Sequence, residues 1–299
     1  MAFLTAMKPW FWLFSLFIAG CSSAKDPFPE TSATNASDYW FDRAEITRYE
    51  LTQFRYGEIL TGDSLLIFVS EPFLTDKQVK HEFGPDENAV PVLKLNRIRS
   101  FTTGIYDYRL MASIFHPIEN ISAIPAGLKI AMSATEWCGV AFLQINRRDG
   151  ELETELRSYF QSESDQDLNL PDTWTEDELW LRLRIDPTSL PTGEFEAVPE
   201  VFYQRLSHIP LAAYSASAEL YAGKDTGTSI YEITYPEMSR TLAITFERDY
   251  PHRIHGWTEM VEGKLFSKGE ATHSERLYYW ELKQSEDIHY REKLGLPAN

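Results

Sequence analysis

Runs in which apolar and polar residues alternate dominate the chain from residue 38 onward. A period of two puts every second side chain on the same face and is typical of half-buried strands, whereas a helix repeats every ~3.6 residues. Glycine, proline and asparagine separate the runs, as they do at strand ends. The predicted strands are 46–56, 64–70, 90–98, 106–115, 128–134, 140–146, 152–160, 229–235, 241–247, 252–259 and 276–283.

Turn residues predict how two pairs of these strands connect. Asp149-Gly150 suits the positive φ angles of a tight hairpin turn between two of the runs. After this turn Leu152 and Leu156 share one face of the strand while acidic residues occupy the other, so the sheet is expected to have a wet side. A second turn region is predicted at 57–63.

One helix is predicted to begin after Thr175. Thr175 and Glu178 have the capping-box spacing, in which each side chain bonds to the backbone amide of the other. Acids in the first turn suit the positive end of a helix, and Asp186-Pro187 ends it. The predicted fold is therefore mainly β: a curved antiparallel sheet or half-open β-barrel with one or two helices covering its inner face.

The first twenty residues predict a secretory signal. One positive charge at Lys8 precedes an apolar run of roughly nine residues and then small residues, whereas a transmembrane span needs about 20 apolar residues. Residues 18–21, Ile-Ala-Gly-Cys, match the lipobox of bacterial lipoproteins. This resemblance implies that Cys21 becomes the lipidated N-terminus of the mature protein; an ordinary signal peptide with a chance cysteine is the alternative.

Composition divides the remainder into a tether and a folded body. Residues 21–37, which begin with the lipidated cysteine, are small, polar and proline-containing, and predict a flexible tether. Residues 38–299 carry enough apolar and aromatic side chains for a single large β-rich domain, with a subdivision near 165–175 as the alternative.

Acidic residues outnumber basic ones, 45 against 28, for a net charge of −17. Such a surface repels phosphate backbones, which argues against nucleic-acid binding. The expected partners are the membrane, through the lipid anchor, and an apolar small molecule or an envelope protein.

Cys138 is the second of two cysteines. If Cys21 carries lipid, a disulfide within the chain is excluded. A nucleophilic thiol needs a nearby base, and His116 is a candidate. The strand pattern instead places Cys138 beside Trp137 in a core hairpin, and this favours a buried, inert thiol.

A partial calcium-loop pattern precedes the helix. Asp165, Asp167, Asn169 and Glu176 occupy the first, third, fifth and twelfth positions of an EF-hand loop, but Leu170 replaces the glycine that the sixth position needs. A solvated loop is favoured over a calcium site, and no cofactor is expected.

Aromatic side chains are the remaining candidates for binding. Trp180, Trp257, Tyr106 and Tyr108 could line a cleft for an apolar or sugar-like ligand, or pack in the core. The sequence contains no zinc-protease, paired-cysteine or nucleophile-elbow motif.

Several segments together resemble a lipoprotein family of Bacteroidetes-type bacteria whose members often carry the label "septum formation inhibitor Maf". They are the lipobox, YWFDRAEITRYELTQFRYGE, PVLKLNRIRSFTTGIYDYRLMASIF, EWCG, DELWLRLRIDPTSLP and YPHRIHGW. True Maf proteins are cytoplasmic nucleotide pyrophosphatases with a Ser-x-Ser-Pro-Arg-Arg signature, which is absent from this chain. The resemblance implies export and lipidation but supplies no catalytic residues. The expected strand-rich fold is also similar to the half-barrels of lipoprotein-carrier proteins.

These observations predict an outer-membrane lipoprotein whose domain faces the periplasm or, alternatively, the cell surface. The leading hypothesis is non-catalytic binding of a hydrophobic or envelope-derived ligand or of a protein partner. The alternative hypothesis is a hydrolase or transferase that uses Cys138 or a carboxylate pair.

Overall fold

The computed structural model describes residues 36–119 and 125–297, with side chains from residue 39 onward. The predicted signal peptide, Cys21 and all but the last two residues of the predicted tether lie outside the described residues. Within the described ranges, no helix is both long and apolar enough to cross a membrane.

Strands make up most of the described chain. They are β1 (Ala44–Arg55), β2 (Glu58–Leu74), β3 (Val79–Lys80), β4 (Ala89–Thr103), β5 (Tyr106–Pro117), β6 (Lys129–Glu136), β7 (Gly139–Arg148), β8 (Glu151–Ser158), β9 (Gln166–Pro171), β10 (Trp174–Thr175), β11 (Gly193–Val198), β12 (Tyr214–Ala222), β13 (Thr228–Tyr235), β14 (Arg240–Glu247), β15 (Ile254–Val261) and β16 (Lys264–Leu277).

Four short α-helices and three 3-10 turns join the strands. The α-helices are α1 (Ala36–Asp42), α2 (Glu176–Ile185), α3 (Val201–Ser207) and α4 (His289–Lys293), and the 3-10 turns are Pro187–Ser189, Pro236–Met238 and Ser285–Ile288.

All sixteen strands belong to one sheet, in the order β10-β11-β12-β13-β14-β15-β16-β1-β2-β4-β5-β6-β7-β8-β9, with β3 beside β2. Every pairing is antiparallel except that of β10 with β11. The edge strands β9 and β10 are separated by only residues 172 and 173, so the edges approach within about 11 Å there. The sheet is therefore strongly curved but unclosed, and the prediction of a mainly β, curved sheet is confirmed.

Helix α2 fills the inside of this curve. All ten of its residues are buried, and it packs against β4 and β5. The Trp180 ring meets the Trp257 ring of β15 edge to face, with centroids 5.6 Å apart. Helix α3 packs on β5 beside it, and six of its seven residues are buried. The two helices cover the inner face, as predicted.

Ion pairs fix α2 to the sheet at both ends. Glu176 in the first turn receives two hydrogen bonds from Arg240 of β14, at 2.6 and 2.7 Å. Arg184 in the last turn donates two bonds to Glu45 of β1, at 2.7 and 2.9 Å. These four side chains are almost completely buried. Bidentate geometry satisfies several buried donors and acceptors at once.

The predicted helix and its end at Asp186-Pro187 are confirmed, but the capping box is wrong. The Thr175 hydroxyl donates to the Glu178 carboxylate at 3.1 Å rather than capping the backbone. Glu178 accepts bonds from the amides of Ala126 and Gly127, at 3.1 and 3.2 Å. The acid that the pattern assigns to the helix end therefore bonds to a different segment of the chain.

The hairpin at Asp149-Gly150 is confirmed, with φ angles of 50° and 80°. The turn region predicted at 57–63 is wrong, because the turn is Tyr56-Gly57 and Gly62 lies within β2. A Cβ atom at Gly62 would lie 2.2 Å from the Ser100 carbonyl oxygen of β4. Glycine permits a close approach of two strands there rather than a turn.

The strand predicted at 276–283 is also wrong beyond Leu277, where β16 ends and turns follow. Strands on both sides of 165–175 belong to the same sheet. Strands β3, β9, β10, β11 and β12, the first part of β16 and helix α3 were not predicted. Strands β9, β11 and β12 do alternate apolar and polar residues, but over only six to nine positions each.

Replacement of Arg240 by Met tests the role of the buried ion pairs. Arg240 also donates to Glu259 at 2.7 Å, so its loss leaves two buried carboxylates without their main partner. We expect Arg240→Met to lower the free energy of unfolding by about 3–5 kcal/mol. The matched control Arg109→Met removes an exposed arginine and should cost less than about 0.5 kcal/mol. Urea unfolding followed by tryptophan fluorescence measures both; equal midpoints would contradict this role.

Candidate functional site

The densest cluster of charged side chains lies inside the sheet. Glu200, just before α3, accepts hydrogen bonds from Arg97 and Arg99 of β4. Burial raises the pKa of Asp177 to about 7, although Arg97 opposes the shift. Burial likewise raises the pKa of Glu259.

For Glu200, burial acts to raise the pKa, but Arg97 and Arg99 together with Arg240 lower it on balance. Each of these side chains is at most 1% exposed, and each carboxylate faces an arginine. Their perturbed pKa values therefore reflect structural pairing rather than an accessible active site.

Cys138 is exposed, which contradicts the predicted buried thiol. Trp137 and Cys138 are the two turn residues between β6 and β7, so the strand alternation does not continue through them. A hydrogen bond to Glu136 raises the pKa of the Cys138 thiol. A raised pKa reduces the thiolate that a nucleophile needs.

His116 lies far from Cys138. The Cys138 turn is beside the start of β5, because Arg109 pairs with Thr135, whereas His116 is at the other end of that strand. At ~3.3 Å per residue the separation is about 30 Å. The predicted cysteine–histidine pair is therefore not formed.

The residues of the partial calcium loop are also separated. Asp167 and Asn169 lie on β9 rather than in a loop, and Asp165 accepts a hydrogen bond from the Ser158 amide at 3.3 Å. Glu176 points into the interior and binds Arg240. Within the described ranges, no group of three histidine, cysteine, aspartate or glutamate residues is placed to hold a metal ion.

The four aromatic candidates divide between core and surface. Trp180, Trp257 and Tyr108 are buried and belong to the hydrophobic core, so they line no cleft. Tyr106 is partly exposed at the end of the sheet, where its ring lies 6.1 Å from the Trp137 ring.

A shallow depression of about 440 Å³ lies over β11 and β12. The Glu196 carboxylate in its wall accepts a hydrogen bond from the Ser215 hydroxyl at 2.6 Å. The lining residues are Glu194, Phe195, Glu196, Ser215, Ala216, Ser217 and Pro236. Ser215 and Glu196 are the one hydroxyl–carboxylate pair in this set, and it contains no histidine, lysine or cysteine.

A row of apolar side chains at one end of the sheet is the strongest candidate for a functional surface. Neighbouring strands are antiparallel, so the β1–β2, β4–β5, β6–β7 and β8–β9 connections lie at the same end. Each connection carries a large apolar or aromatic residue. We call this set the apolar rim; it consists of Tyr56, Ile105, Tyr106, Trp137 and Tyr159.

The rim is strongly exposed. Tyr56 is 60% exposed, Ile105 80%, Trp137 71% and Tyr159 70%. The β11–β12, β13–β14 and β15–β16 connections at the same end of the sheet instead carry no large apolar residue that is strongly exposed. At this end of the sheet, the exposed large apolar turn residues within the described ranges are therefore on four adjacent connections, whereas Phe41 and Phe83 are exposed at the opposite end. Groups of exposed apolar side chains are typical of interaction sites.

Contacts beneath the rim hold its side chains in place. The Tyr56 and Tyr108 hydroxyls lie 2.6 Å apart, and the Arg55 guanidinium lies over the Tyr56 ring, 4.5 Å from its centroid. At the other end of the row, the Tyr159 ring packs so closely on Gly139 that a Cβ atom there would be 2.9 Å from it.

Tyr56 also adopts an unusual backbone conformation. Its φ angle of 53° lies in the left-handed region, which is uncommon for a bulky residue and costs about 1 kcal/mol or more. Other turns of this protein have Asp149 or Glu262 in that conformation. Tyr56 therefore has this backbone cost at a position where its ring is 60% exposed and its hydroxyl contacts that of Tyr108.

Sequence reasoning did not identify the rim as a site. The available signal was a large apolar residue within or beside a turn glycine, as in Tyr56-Gly57 and Gly104-Ile105. Turn positions usually carry polar residues, so each of these pairs is an exception.

Labelling of Cys138 tests its exposure and its environment. We expect a small maleimide to modify Cys138 without denaturant, and the rate to increase severalfold in Glu136→Gln, because the carboxylate that raises the thiol pKa is removed. Mass spectrometry over a pH series measures the rate. Cys138→Ser provides the blank, and protection of Cys138 until denaturation would contradict the exposed turn.

The buried His116 predicts a pH dependence of stability. Burial lowers its pKa to about 4, so folded His116 stays neutral while the unfolded chain takes up a proton below about pH 6.5. Unfolding therefore binds a proton between these values, and His116 reduces stability as the pH falls through that window, by up to about 3 kcal/mol.

His116→Gln should flatten the pH dependence between pH 6.5 and 4, whereas His255→Gln, at a half-exposed position, should not. Urea midpoints measured across the window test this. An unchanged slope in His116→Gln would contradict it.

Comparison of the chain with models of known protein families, with curated proteins and with solved structures finds no match. The functional conclusion therefore depends on the chain's own residues and on the geometry of the rim.

Proposed function

We propose that this protein is an exported, lipid-anchored lipoprotein of the outer membrane, with its domain facing the periplasm, that acts by non-catalytic binding through the apolar rim. The observation that carries the proposal is the row of exposed apolar side chains on four adjacent strand connections. Such side chains oppose solubility unless a partner covers them for part of the time.

The position of the N-terminal segment fits this arrangement. Residues preceding β1 enter the domain through α1, at the end of the sheet opposite to the rim. The twelve residues of β1 separate the two ends by about 36 Å. An anchor at Cys21 therefore attaches to one end of the domain and leaves the other end accessible.

The chemistry at the rim favours binding over catalysis. Tyrosine, tryptophan and arginine side chains bury much area at a small entropic cost and are enriched in binding surfaces. Cys138 is the rim's nucleophile, but Glu136 raises its pKa and His116 is about 30 Å away. The alternative of a cysteine hydrolase thus gains no support from the geometry.

Site-specific photo-crosslinking tests the rim. A photoreactive phenylalanine analogue at position 105 should give adducts in intact cells, because Ile105 projects from the rim. The same analogue at position 83 is the matched control: Phe83 is 87% exposed but lies in the connection between β2 and β4, at the opposite end. Equal adduct yields at the two positions, or none at 105, would overturn the proposed role.

Metabolic labelling tests the anchor separately. Radiolabelled palmitate should be incorporated into the parent chain and not into Cys21→Ala, because the lipobox cysteine supplies the acceptor sulfur. Cys138→Ser is the matched control and should retain the label. Incorporation into Cys21→Ala would overturn lipidation at this residue.

A further inference from the structure

We propose that the apolar rim docks on the interfacial region of a phospholipid bilayer, and that this bilayer is the membrane that carries the protein's own anchor. This inference rests on the proposed function, since it names the partner of the rim.

The shape of the rim favours a bilayer over a protein. Its side chains project separately from four connections, with 60–80% of the surface of Tyr56, Ile105, Trp137 and Tyr159 exposed. A folded partner would need a matching cavity for each projection, because specific protein interfaces are closely packed. A bilayer interface is fluid and adapts to separate side chains.

The spacing of the projections also suits a flat surface. Consecutive connections of the rim are two strands apart, so their tips are separated by about 10 Å. The four tips therefore extend over about 29 Å along the end of the sheet. The register also staggers the tips along the strands, because Ser158 beside Tyr159 is level with Ser64 of β2, about 20 Å from the Tyr56 turn. The row therefore crosses the end of the sheet obliquely, and a tilted domain presents it to a flat membrane.

The chemistry of the side chains matches the membrane interface. Tryptophan and tyrosine combine an apolar ring with a polar group and are enriched where acyl chains meet head groups. Ile105 is the most exposed of the rim residues and follows Gly104 at the tip of its turn, so it is placed to enter deepest. Arg55 stacks on the Tyr56 ring and bonds to the Leu206 carbonyl oxygen and the Tyr108 hydroxyl, which holds the ring in place.

Charge selects the kind of lipid. The net charge of −17 repels an anionic surface, and the exposed acids Glu58 and Asp107 lie beside the rim connections, with Arg109 next to Asp107. Rim docking therefore favours zwitterionic head groups, and added salt should relieve the repulsion from anionic ones.

Chain length allows contact with the anchoring membrane. Residues 21–35, which precede α1, span at most about 50 Å if fully extended, and this exceeds the roughly 36 Å between the two ends of β1. Because the anchor holds the domain close to that membrane, a weak affinity of the rim is sufficient for docking.

The experiment uses the full chain with Cys21→Ala, in which Cys138 is the single thiol and lies next to Trp137 of the rim. An environment-sensitive NBD fluorophore is attached to Cys138, and vesicles of phosphatidylcholine are added. We expect a blue shift and an increase in emission with these vesicles, and a weaker response with phosphatidylglycerol that recovers in salt.

Ile105→Asp should weaken vesicle binding about tenfold, because it replaces the side chain that enters deepest with a charge. Phe83→Asp is the matched control and should bind vesicles like the parent. Both variants retain residues 1–20, so any binding of that apolar segment to vesicles is the same in each. If the emission does not change with vesicles of either lipid, or if Ile105→Asp and the parent bind vesicles equally, the bilayer proposal is overturned.

The crosslinking at position 105 distinguishes failure of the bilayer as the partner from failure of the rim as a binding surface. Adducts to a protein together with unchanged NBD emission overturn the bilayer as partner but keep the rim as a binding surface. Absence of both overturns the two proposals together.

Discussion

The rest of the structure depends on the burial of paired arginines and carboxylates inside the curved sheet. Arg97, Arg99 and Arg240 point inward from strands. Most of the acids that meet them precede or begin the two interior helices, and Glu259 lies on β15. A buried charge without a partner costs several kcal/mol, so neither the strands nor the helices can adopt this arrangement alone. The interior is consequently filled by α2 and α3 instead of being left open.

A filled interior has a functional consequence, because it moves binding to the outer surfaces of the sheet. The rim nevertheless keeps a connection to the interior. Arg55 donates to the Leu206 carbonyl oxygen of α3, and Arg205 of α3 lies over the Phe160 ring beside Tyr159. Glu200, at the start of the same helix, belongs to the buried network. The exposed rings therefore project from a rigid base.

Local patterns in the sequence predict local structure well and tertiary roles poorly. Alternation finds most strands, and Asp149-Gly150 finds its hairpin, because each depends on neighbouring residues alone. Glu178 fits a capping box in the sequence, but its actual partners include residues 126 and 127, which no local rule connects to it. Cys138 illustrates a second limit of prediction from sequence. A shift of the strand end by one residue moves a side chain from the buried face to the exposed turn. The rim can be recognised only when the order of the strands in the sheet is known. The period of apolar and polar residues does not give that order.

The connection of the two sheet edges through residues 172 and 173 has a consequence for how the domain opens. Arg147 of β7 binds the Thr173 carbonyl oxygen at 2.9 Å, and the Thr173 hydroxyl donates to the Glu196 carbonyl oxygen of β11 at 2.6 Å. The chain enters β10 and the first turn of α2 directly afterwards. Separation of the edges would break these bonds and pull on Glu176 at the same time. Edge opening and helix release are thus a single cooperative event, and the slowest hydrogen exchange is expected to be shared by the strands and the helix that they enclose.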